Sequence, residues 1–467
     1  MLPSQKCFTD ISNAGMNTAY QFLHFVQYAA IRNWSVQYMI GGNFGYSDKY
    51  PLARIGSFLK RSRNVIDIED EVEYKQVTVR TNNGGVCLRD KKRGKDIGTK
   101  KQNRVSKGQY IVSKIDARNG AFGIIPNELD GAIVTNDFPV FDVDNTIINT
   151  EFLLLVTTTK PFVAFAQSCS SGTTNRRRID IDKFLEQEIP LPSLEEQNIL
   201  VSAYSDIIGN ASSLQQSIVR EDEEWKCYVR NSLFTDRSHE KEKRAGMYLQ
   251  FIHFKEVTEW GIEKIKKQAD NGLASKYDIL HIKDVCKVNS GGTPSRSNKS
   301  YYQGNIPWIK TGEVLNEIIY DTEEHISEDA ISHSSARVYP KGSLIIAMYG
   351  QGDTRGRTAK LGVDASTNQA CAVLHHIDNG VILTDYLWDY IQSMYDDLRS
   401  LASGTNQPNL NAEKIKNYML PIPPKEIQEE IVSYVSAAKA RIHELQTKAA
   451  SLKVQALQDF EHALFKQ

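Results

Sequence analysis

The chain has 467 residues, a length typical of two or three domains. Hydrophobic residues make up 40% of it and charged residues 24%, which indicates a folded protein rather than a disordered one. The net charge of −1 excludes a uniformly basic nucleic-acid coat but permits local basic patches. No apolar run reaches the roughly 18 residues of a membrane helix, the start lacks a signal-peptide pattern, and the cysteines are far apart. These features predict a cytoplasmic protein without membrane association or disulfides.

Several short motifs occur twice in the same order, about 230 residues apart. Ser171-Gly-Thr-Thr-Asn precedes Ile189-Pro-Leu-Pro, and the later Ser403-Gly-Thr-Asn-Gln precedes Leu420-Pro-Ile-Pro. Two upstream pairs keep the same order: Leu52-Ala-Arg-Ile with Ile279-Leu-His-Ile, and Lys107-Gly with Lys341-Gly. The sequence therefore predicts a tandem duplication. The first part of each repeat has short apolar runs separated by turn signals such as Asn82-Asn-Gly-Gly, which indicates a mixed domain with substantial β structure.

The end of each repeat carries an apolar stripe with steps of three and four residues. The stripe residues include Leu200, Ile207, Leu214 and Ile218 in the first repeat, and Ile431, Ile442, Leu445 and Leu452 in the second. Glu221 is the one polar residue on the first stripe. Each stripe follows a proline-rich start and extends for about 40 residues, or roughly 60 Å of helix. A single stripe would fit a helix packed on its own domain, but two equivalent stripes favour helices that pair with each other.

The predicted fold class is α+β: a tandem duplication of two mixed α/β domains separated by two long antiparallel coiled-coil helices. The predicted segments are 1–190 (an N-terminal segment and the first mixed domain), 191–245 (the first spacer helix), 246–422 (the second mixed domain) and 423–467 (the second spacer helix).

The sequence contains no recognisable catalytic constellation. Gly94-Lys-Asp-Ile-Gly-Thr-Lys lacks the spacing of a phosphate-binding loop, and neither His-Glu-x-x-His nor Gly-x-Ser-x-Gly occurs. The segment 350–356 is one residue off a dinucleotide fingerprint and lies between two strand-like runs, which indicates a hairpin loop. We therefore predict a chain that is not an enzyme and binds no metal or cofactor.

Residues 89–107 contain nine basic and two acidic side chains, a strong local positive charge in a nearly neutral protein. A solvated loop would explain this cluster, but inside a folded domain it is typical of a phosphate-binding surface. The residues expected to contact DNA phosphates are Lys91, Lys92, Arg93, Lys100 and Lys101.

Further candidate DNA-binding residues occur in both repeats, and those of the first repeat match positions of the second. They are Lys114, Arg118, Asn119, Arg176, Arg177 and Arg178 in the first, and Thr293, Ser295, Trp308, Lys310, Tyr349, Gln351, Arg355, Arg357, Asn406 and Gln407 in the second. Arginine can bridge guanine edges, asparagine and glutamine can bridge adenine edges, and aromatic rings can pack on sugars or bases. Each of these residues alone would also fit an ordinary protein surface. Their enrichment at matching places favours double-stranded DNA as the ligand.

Four motifs carry a family resemblance: Tyr277-Asp-Ile-Leu-His-Ile-Lys-Asp-Val, Ser290-Gly-Gly-Thr-Pro-Ser, Ile306-Pro-Trp-Ile-Lys-Thr-Gly-Glu-Val and Leu420-Pro-Ile-Pro-Pro-Lys-Glu-Ile-Gln. Together they resemble the specificity (S) subunit of type I restriction–modification systems. The resemblance implies two target recognition domains, each reading half of an asymmetric bipartite DNA site. It also implies methyltransferase (M) subunits docked along the helices and restriction/translocase (R) subunits that join them. Those partners would carry S-adenosylmethionine, ATP and magnesium, and this chain would carry none of them.

Three other functions are also compatible with the sequence. A stand-alone DNA-binding regulator or decoy could use the same fold without methyltransferase partners. A nuclease with an unrecognised site would cleave DNA as a purified chain in the presence of a metal. A two-lobed protein–protein adaptor would make the basic segments incidental.

Overall fold

The computed structural model describes residues 45–171, 178–236, 273–350, 352–402 and 409–465. The chain divides into two compact units. Unit 1 comprises the residues up to Ser212 together with those from Ala449 onward, and unit 2 comprises Ser213–Lys448. Each unit combines β-sheets and short helices with parts of two long helices.

Unit 1 contains two main sheets. Its elements are β1 (Leu52–Arg54), β2 (Leu59–Ser62), β3 (Val65–Asp67), β4 (Glu73–Val79), β5 (Val86–Arg93), β6 (Lys101–Arg104), β7 (Tyr110–Val112), β8 (Phe122–Ile124), β9 (Ile133–Val134), β10 (Val140–Val143), α1 (Thr150–Thr158), α2 (Lys160–Ser168), β11 (Ser170–Ser171), β12 (Arg178–Ile179), α3 (Ile181–Glu186), β13 (Glu188–Pro190) and the beginning of α4 (Leu194–Leu233). One sheet has the strand order β2-β10-β7-β8, and the other has the order β3-β6-β9-β4-β5. The strand β5 is therefore an edge strand.

An aromatic cluster forms the core of unit 1 between the first sheet and the short helices. The ring centroid of Phe122 lies 5.8 Å from that of Phe162 and 6.1 Å from that of Phe184, and all three side chains are fully buried. Phe460, near the C-terminus, packs against Phe152 with a centroid distance of 5.8 Å. Burial of each such ring contributes about 1.5–3 kcal/mol to stability.

Unit 2 has a five-stranded and a three-stranded sheet. Its elements after α4 are β14 (Phe234–Asp236), β15 (Leu273–Ser275), β16 (Ile279–His281), α5 (Ile282–Val285), β17 (Lys287–Ser290), β18 (Ile306–Ile309), β19 (Ile318–Ile319), β20 (His325–Ile326), α6 (Glu328–Ser332), β21 (Leu344–Ala347), β22 (Thr358–Leu361), β23 (Ser366–Thr367), β24 (Cys371–His375), α7 (Thr384–Ser393), α8 (Tyr395–Ser400), α9 (Ala412–Lys416), β25 (Met419–Pro421) and α10 (Lys425–Leu464). The strand orders are β17-β24-β21-β22-β19 and β20-β18-β23. A single large core joins β21, β24 and α7 to the segments of α4 and α10 that belong to this unit.

The two long helices are antiparallel within unit 2. The rings of Tyr228 and Tyr434 stack at 3.8 Å, and Arg441 Nε donates to Glu221 Oε2 at 3.1 Å. The earlier residue of α4, Glu221, thus pairs with the later residue of α10, Arg441, as antiparallel helices require. The ion pair also explains the one polar residue on the first stripe, because Glu221 has a basic partner on the opposite helix. Each helix has 40 residues and begins within two residues of a proline, as the proline-rich starts predicted.

The duplication is visible in backbone pairing. In unit 1, β1 pairs antiparallel with β13, with Leu52 opposite Pro190. In unit 2, β16 pairs antiparallel with β25, with Ile279 opposite Pro421. The predicted correspondence between Leu52-Ala-Arg-Ile and Ile279-Leu-His-Ile is therefore confirmed. Each of these pairs leads directly into a long helix.

The same buried glutamine anchors each long helix. Gln197 Nε2 donates to the Pro192 carbonyl at 2.8 Å, and its Oε1 accepts from the Asn149 amide at 2.7 Å. Gln428 repeats this arrangement with the Pro423 carbonyl at 2.9 Å and the Leu383 amide at 2.8 Å. Both glutamines are fully buried, so their polar atoms need these partners. The predicted α+β duplication with two long antiparallel helices is confirmed.

Candidate nucleic-acid interface

One β-hairpin is built in the same way in both units. It consists of β7 and β8 in unit 1 and of β21 and β22 in unit 2, and each pair is antiparallel. Before the first strand, the Lys107 amide donates to Asp130 Oδ1 at 2.8 Å, and the Lys341 amide donates to Asp364 Oδ1 at 2.7 Å. The described residues between the paired strands are named hairpin loop 1 (113–121) and hairpin loop 2 (348–350 and 352–357). These two loops are structurally equivalent.

Hairpin loop 1 contains three of the candidate base-reading residues. The Lys114 amide donates to the Asp137 carbonyl at 2.8 Å, which fixes the start of the loop. A short 3₁₀ turn over Ala117–Asn119 then ends at Gly120, whose φ of 74° suits glycine. Arg118 is half-buried and Asn119 is exposed at this turn.

Arg178 lies beside hairpin loop 1. The Ile179 amide donates to the Lys114 carbonyl at 2.8 Å, so β12 lies against the start of the loop. The Arg178 guanidinium donates to both carboxylate oxygens of Asp137, at 3.1 and 3.2 Å. This hydrogen bonding raises the pKa of Arg178, which keeps its positive charge. The structure thus brings Lys114 and Arg178 into one neighbourhood.

The tip of the β4–β5 hairpin also contacts hairpin loop 1, which the sequence reasoning missed. The Asn82 amide donates to the Asn119 carbonyl at 2.7 Å, and the Asn83 amide donates to the Gly120 carbonyl at 3.2 Å. Both asparagines have positive φ, 54° and 59°. The motif Asn82-Asn-Gly-Gly signals such a turn, but nothing in the sequence shows which surface the turn contacts.

The predicted phosphate-contacting residues lie away from hairpin loop 1. Lys91, Lys92 and Arg93 are exposed near the end of β5, whereas Val86, at its beginning, adjoins the hairpin tip. Seven strand steps of about 3.3 Å correspond to roughly 23 Å between the two ends. These basic residues and the candidate base readers therefore form two separate groups within unit 1.

Lys100 and Lys101 continue the basic group along the chain. Lys100 Nζ donates to Asp70 Oδ1 at 2.6 Å and to the Gly94 carbonyl at 2.8 Å. Its charge is thus shared with a carboxylate, whereas Lys101 is exposed on β6. Lys92 Nζ lies 3.2 Å from Asp90 Oδ2. Such exposed pairs are weak, so these ammonium groups can still meet a phosphate.

Hairpin loop 2 carries aromatic and basic side chains. Tyr349 is 40% exposed, and Arg355 and Arg357 are half-buried. The segment between β21 and β22 was predicted to be a hairpin loop, and the antiparallel register of Ile346 with Thr358 confirms this. Arg399 on α8 holds the loop backbone, a contact for which the sequence gives no signal.

Trp308 requires a correction of the predicted contact role. Its side chain is only 2% exposed, and its Nε1 donates to the Gly292 carbonyl at 3.0 Å. A side chain enclosed in the core has no surface to offer to DNA. Trp308 instead supports the segment that presents Thr293, which is half-buried, and Ser295, which is exposed.

The Lys310 ammonium is already paired within unit 2. Its Nζ donates to Glu323 Oε2 at 2.9 Å and to Glu324 Oε1 at 3.2 Å. The hydrogen bond with Glu323 raises the pKa of Lys310. Arg296, which donates to Glu324 at 2.6 Å, lowers the pKa of that carboxyl. Two carboxylates next to Lys310 reduce the attraction of its ammonium group for an anion such as phosphate.

Five candidate residues fall outside the described residues: Arg176, Arg177, Gln351, Asn406 and Gln407. Among the described residues, no group of three or more His, Cys, Asp or Glu side chains could hold a metal ion. No helix in the described part of the chain is long and apolar enough to cross a membrane.

The model of the family called type I restriction modification DNA specificity domain matches residues 54–220 and 274–453, more than half of the chain. The chain belongs to this family. The two matched segments correspond to the two repeats.

Two specificity subunits of type I restriction enzymes are similar in sequence to this chain. The MjaIX specificity subunit of Methanocaldococcus jannaschii is 30% identical over 176 residues, which are 36% of this chain and 40% of that protein. The HindI specificity subunit of Haemophilus influenzae is 24% identical over 387 residues, 73% of this chain and 83% of that protein. The chain thus matches less than half of the MjaIX subunit but most of the HindI subunit.

A solved structure from work on complex assembly and conformational transition of the type I R-M system shares the fold. It matches with a TM-score of 0.52 and 15% sequence identity, over 90% of this chain and 98% of that chain. At this identity the likeness concerns the fold alone.

The stripe residues of the long helices face inward in this family member. Ile218 and Ile431 are buried, and the other six predicted residues are half-buried. Apolar side chains that face solvent on these helices are Ile199, Val219 and Val454, exposed by 61%, 58% and 57%. The stripe residues therefore stabilise packing inside each unit.

Proposed function

We propose that the chain is the DNA-recognition subunit of a type I restriction–modification complex and reads an asymmetric bipartite site. The observation that carries this proposal is the equivalence of the two hairpin loops. The same scaffold presents Lys114, Arg118 and Asn119 in one unit and Tyr349, Arg355 and Arg357 in the other. Two loops with different donors and acceptors would select different base pairs. One site with two unlike halves follows from this difference.

The arginines are the main base readers in this proposal. An arginine can donate two parallel hydrogen bonds to the O6 and N7 atoms of guanine, and each such pair contributes about 1–3 kcal/mol to discrimination. Arg118 in hairpin loop 1 and Arg355 in hairpin loop 2 are candidates for this contact, and Asn119 could bridge an adenine edge. The exposed residues of β5 would contact phosphates and supply affinity without sequence choice.

The proposed complex also includes methyltransferase (M) and restriction/translocase (R) subunits. The exposed Ile199, Val219 and Val454 support a docking role for the long helices, because apolar side chains on a solvated helix suit a protein partner. The chain itself would be non-catalytic and cofactor-free, with S-adenosylmethionine, ATP and magnesium bound by the partners. We also propose that the chain acts in the cytoplasm. Its proposed domains are the first target recognition domain with the N-terminal segment (1–190), the first spacer helix (191–245), the second target recognition domain (246–422) and the second spacer helix (423–467).

Co-purification tests the assignment to a complex. The tagged chain would be isolated from its native cells, and the recovered proteins would be identified by mass spectrometry. Recovery of a methyltransferase in stoichiometric amount supports the proposal. A chain that binds a defined DNA motif but recovers no methyltransferase would instead be a stand-alone regulator or decoy. Metal-dependent cleavage by the chain alone would favour the nuclease.

Removing either proposed base reader should weaken selective binding. We expect Arg118→Ala and Arg355→Ala each to reduce affinity for the target duplex by about 1–3 kcal/mol, with a smaller effect on random DNA. Fluorescence anisotropy with both duplexes measures the two affinities, and Arg337→Ala, at an exposed site outside both loops, is the control. Equal losses on target and random DNA would contradict the base-reading role.

The basic side chains of β5 should instead affect all sequences equally. Lys91→Gln combined with Arg93→Gln removes two charges from one face of the strand. We expect the slope of log affinity against log salt to become shallower by about 2, close to 0.9 for each lost phosphate contact. Binding to target and random duplexes at several salt concentrations measures this slope, with Lys448→Gln/Lys453→Gln on α10 as the charge-matched control. An unchanged slope would mean that β5 does not contact DNA.

A further inference from the structure

Arg399 joins two carbonyl groups of hairpin loop 2 through one guanidinium. Its Nη2 donates to the Gly352 carbonyl at 2.9 Å, and its Nη1 donates to the Arg355 carbonyl at 3.2 Å. These carbonyls are three residues apart on a loop, whereas Arg399 belongs to helix α8 more than 40 residues later in the chain. The planar guanidinium fixes both carbonyls relative to each other, which a lysine ammonium, as a point charge, would not do.

Tyr395, one helical turn earlier on α8, fixes Arg399 in turn. The guanidinium lies 5.1 Å from the centre of the Tyr395 ring, and Arg399 Nη1 also donates to the Tyr395 hydroxyl. That hydroxyl donates to the Asp353 carbonyl at 2.6 Å. The two side chains together contact three of the four carbonyls from Gly352 to Arg355. We name Tyr395 and Arg399 the α8 clamp.

Gly356 shows that the loop backbone is fitted closely to the α8 clamp. Its φ is 86°, and a Cβ atom at this position would lie 3.0 Å from Arg399 Cγ and 3.4 Å from Tyr395 Cε2. The Gly356 amide donates to the Ala347 carbonyl at 2.8 Å, which joins the loop to the end of β21. The backbone that presents Arg355 and Arg357 is therefore held from two sides.

Unit 1 uses an equivalent helix for the same purpose. Helix α2 follows α1 as α8 follows α7, and the N-termini of α1 and α7 both contact a buried glutamine. Gln167 on α2 donates from Nε2 to the Arg118 carbonyl in hairpin loop 1, at 3.0 Å. In both units, a side chain of the second helix thus holds the carbonyl of the candidate base-reading arginine.

We infer that Arg399, oriented by Tyr395, is a positioning residue that sets hairpin loop 2 in its DNA-reading conformation. This inference rests on the proposed DNA-recognition function and adds two residues that determine specificity without contacting a base. A loop already ordered before binding loses less conformational entropy when it meets DNA. Removal of the clamp should therefore weaken recognition of the half-site read by unit 2 while leaving non-specific affinity in place.

The variants Arg399→Ala, Arg399→Lys and Tyr395→Phe separate positioning from charge. Each would be compared with wild type and with Arg337→Ala in the full chain and its isolated complex. Hydrogen–deuterium exchange without DNA reports on the Gly356 and Arg357 amides, and circular dichroism reports on folding. Affinities for the target and random duplexes, with their salt dependence, report on recognition.

We expect Arg399→Ala and Arg399→Lys alike to accelerate exchange across 352–357 by about tenfold or more. Both should weaken target binding by about tenfold with little effect on random DNA or on the salt slope. Tyr395→Phe should show a smaller loss, because it removes the hydroxyl bonds but keeps the ring. If Arg399→Lys behaves as wild type while Arg399→Ala lowers the salt slope, Arg399 is a phosphate contact and the positioning role is wrong.

The exchange measurement also separates this inference from the proposed function. Unchanged exchange across 352–357 in Arg399→Ala, with a folded protein, would overturn the clamp whatever the DNA results. Accelerated exchange in a complex that shows no preference for any duplex would confirm the clamp as a loop support and overturn the DNA-recognition function, and with it the assigned role in specificity.

Discussion

Lys439→Met is expected to lower the free energy of unfolding of unit 2 by about 3 kcal/mol, the lower end of the range for breaking a buried ion pair, because the carboxylate is buried and the lysine is one-third exposed. Lys439 Nζ lies 2.7 Å from Asp389 Oδ1, and the Asp389 side chain is 7% exposed. The ammonium also lies between two indole rings, 5.3 Å from the centre of Trp225 and 4.9 Å from that of Trp388. Methionine would fill the space between the rings but would leave a buried carboxylate without its cation.

The loss of unfolding free energy caused by Lys439→Met should depend on pH. Burial raises the pKa of Asp389, and Lys439 opposes this rise. Without Lys439 the pKa in the folded state should rise further above its unfolded value. A group with a raised folded pKa favours the folded state at low pH and loses this contribution as pH increases. The stability difference from wild type should therefore be largest at neutral and alkaline pH and should shrink as Asp389 becomes protonated.

Urea unfolding followed by tryptophan fluorescence measures this effect, since Trp225 and Trp388 flank the pair. Lys448→Met, at an exposed position of α10, is the matched control and should stay close to wild type. Adding Asp389→Asn to Lys439→Met should recover part of the loss because the unpaired charge is then absent. A loss of less than 1 kcal/mol in the single variant would contradict the assignment of a buried pair.

Gln428→Ala and Gln197→Ala should each destabilise their own unit by about 3 kcal/mol, because one buried and two part-buried backbone groups then lack their partner. An unsatisfied buried group costs about 1–3 kcal/mol. Truncation of Gln428 would leave the Leu383 amide and the Pro423 carbonyl without their hydrogen bonds. The Val381 carbonyl, which accepts from Gln428 Nε2 at 3.1 Å, would lose its bond too. A methyl group would also leave a cavity at the start of α10.

Hydrogen exchange resolves the two units, which a single melting curve would merge. Gln428→Ala should accelerate exchange in α7 and at the start of α10, and Gln197→Ala should do so in α1 and at the start of α4. Gln446→Ala, at an exposed position of α10, controls for helix propensity and should have little effect. If Gln446→Ala accelerated exchange as much as Gln428→Ala and Gln197→Ala, the anchoring role of the buried glutamines would be wrong.

The duplication could be predicted because its structural requirements recur in the sequence. A buried glutamine five residues after a proline carbonyl needs the same residue type and spacing each time, so Gln197 and Gln428 preserve the motif. The paired strands that contain Leu52 and Ile279 are likewise constrained by pairing with a proline-rich strand. The equivalence of the hairpin loops followed from the Lys-Gly turns that precede them.

The environment of each candidate site residue could not be predicted in the same way. Trp308 lies at the buried end of a strand whose first two residues are half-buried, and residue type alone does not distinguish a core indole from an exposed one. The charge on Lys310 is compensated by carboxylates 13 and 14 residues away, on a segment that only folding brings close.

The supports of the hairpin loops depend on tertiary structure for the same reason. Asn82 contacts the Asn119 carbonyl from another hairpin, and Arg399 contacts the Gly352 carbonyl from a later helix. Local periodicity carries no information on either contact. The sequence could therefore suggest candidate base-reading arginines but not the residues that hold their loops in place.

In the proposed function, two equivalent hairpin loops read two unlike half-sites. The most direct measurement is selection of bound duplexes from a randomised library by the chain in its isolated complex, followed by sequencing. We expect two short enriched blocks, different from each other and separated by a spacer of fixed length and random sequence. A single continuous block, a palindrome or no enrichment at all would rule out two unlike half-sites.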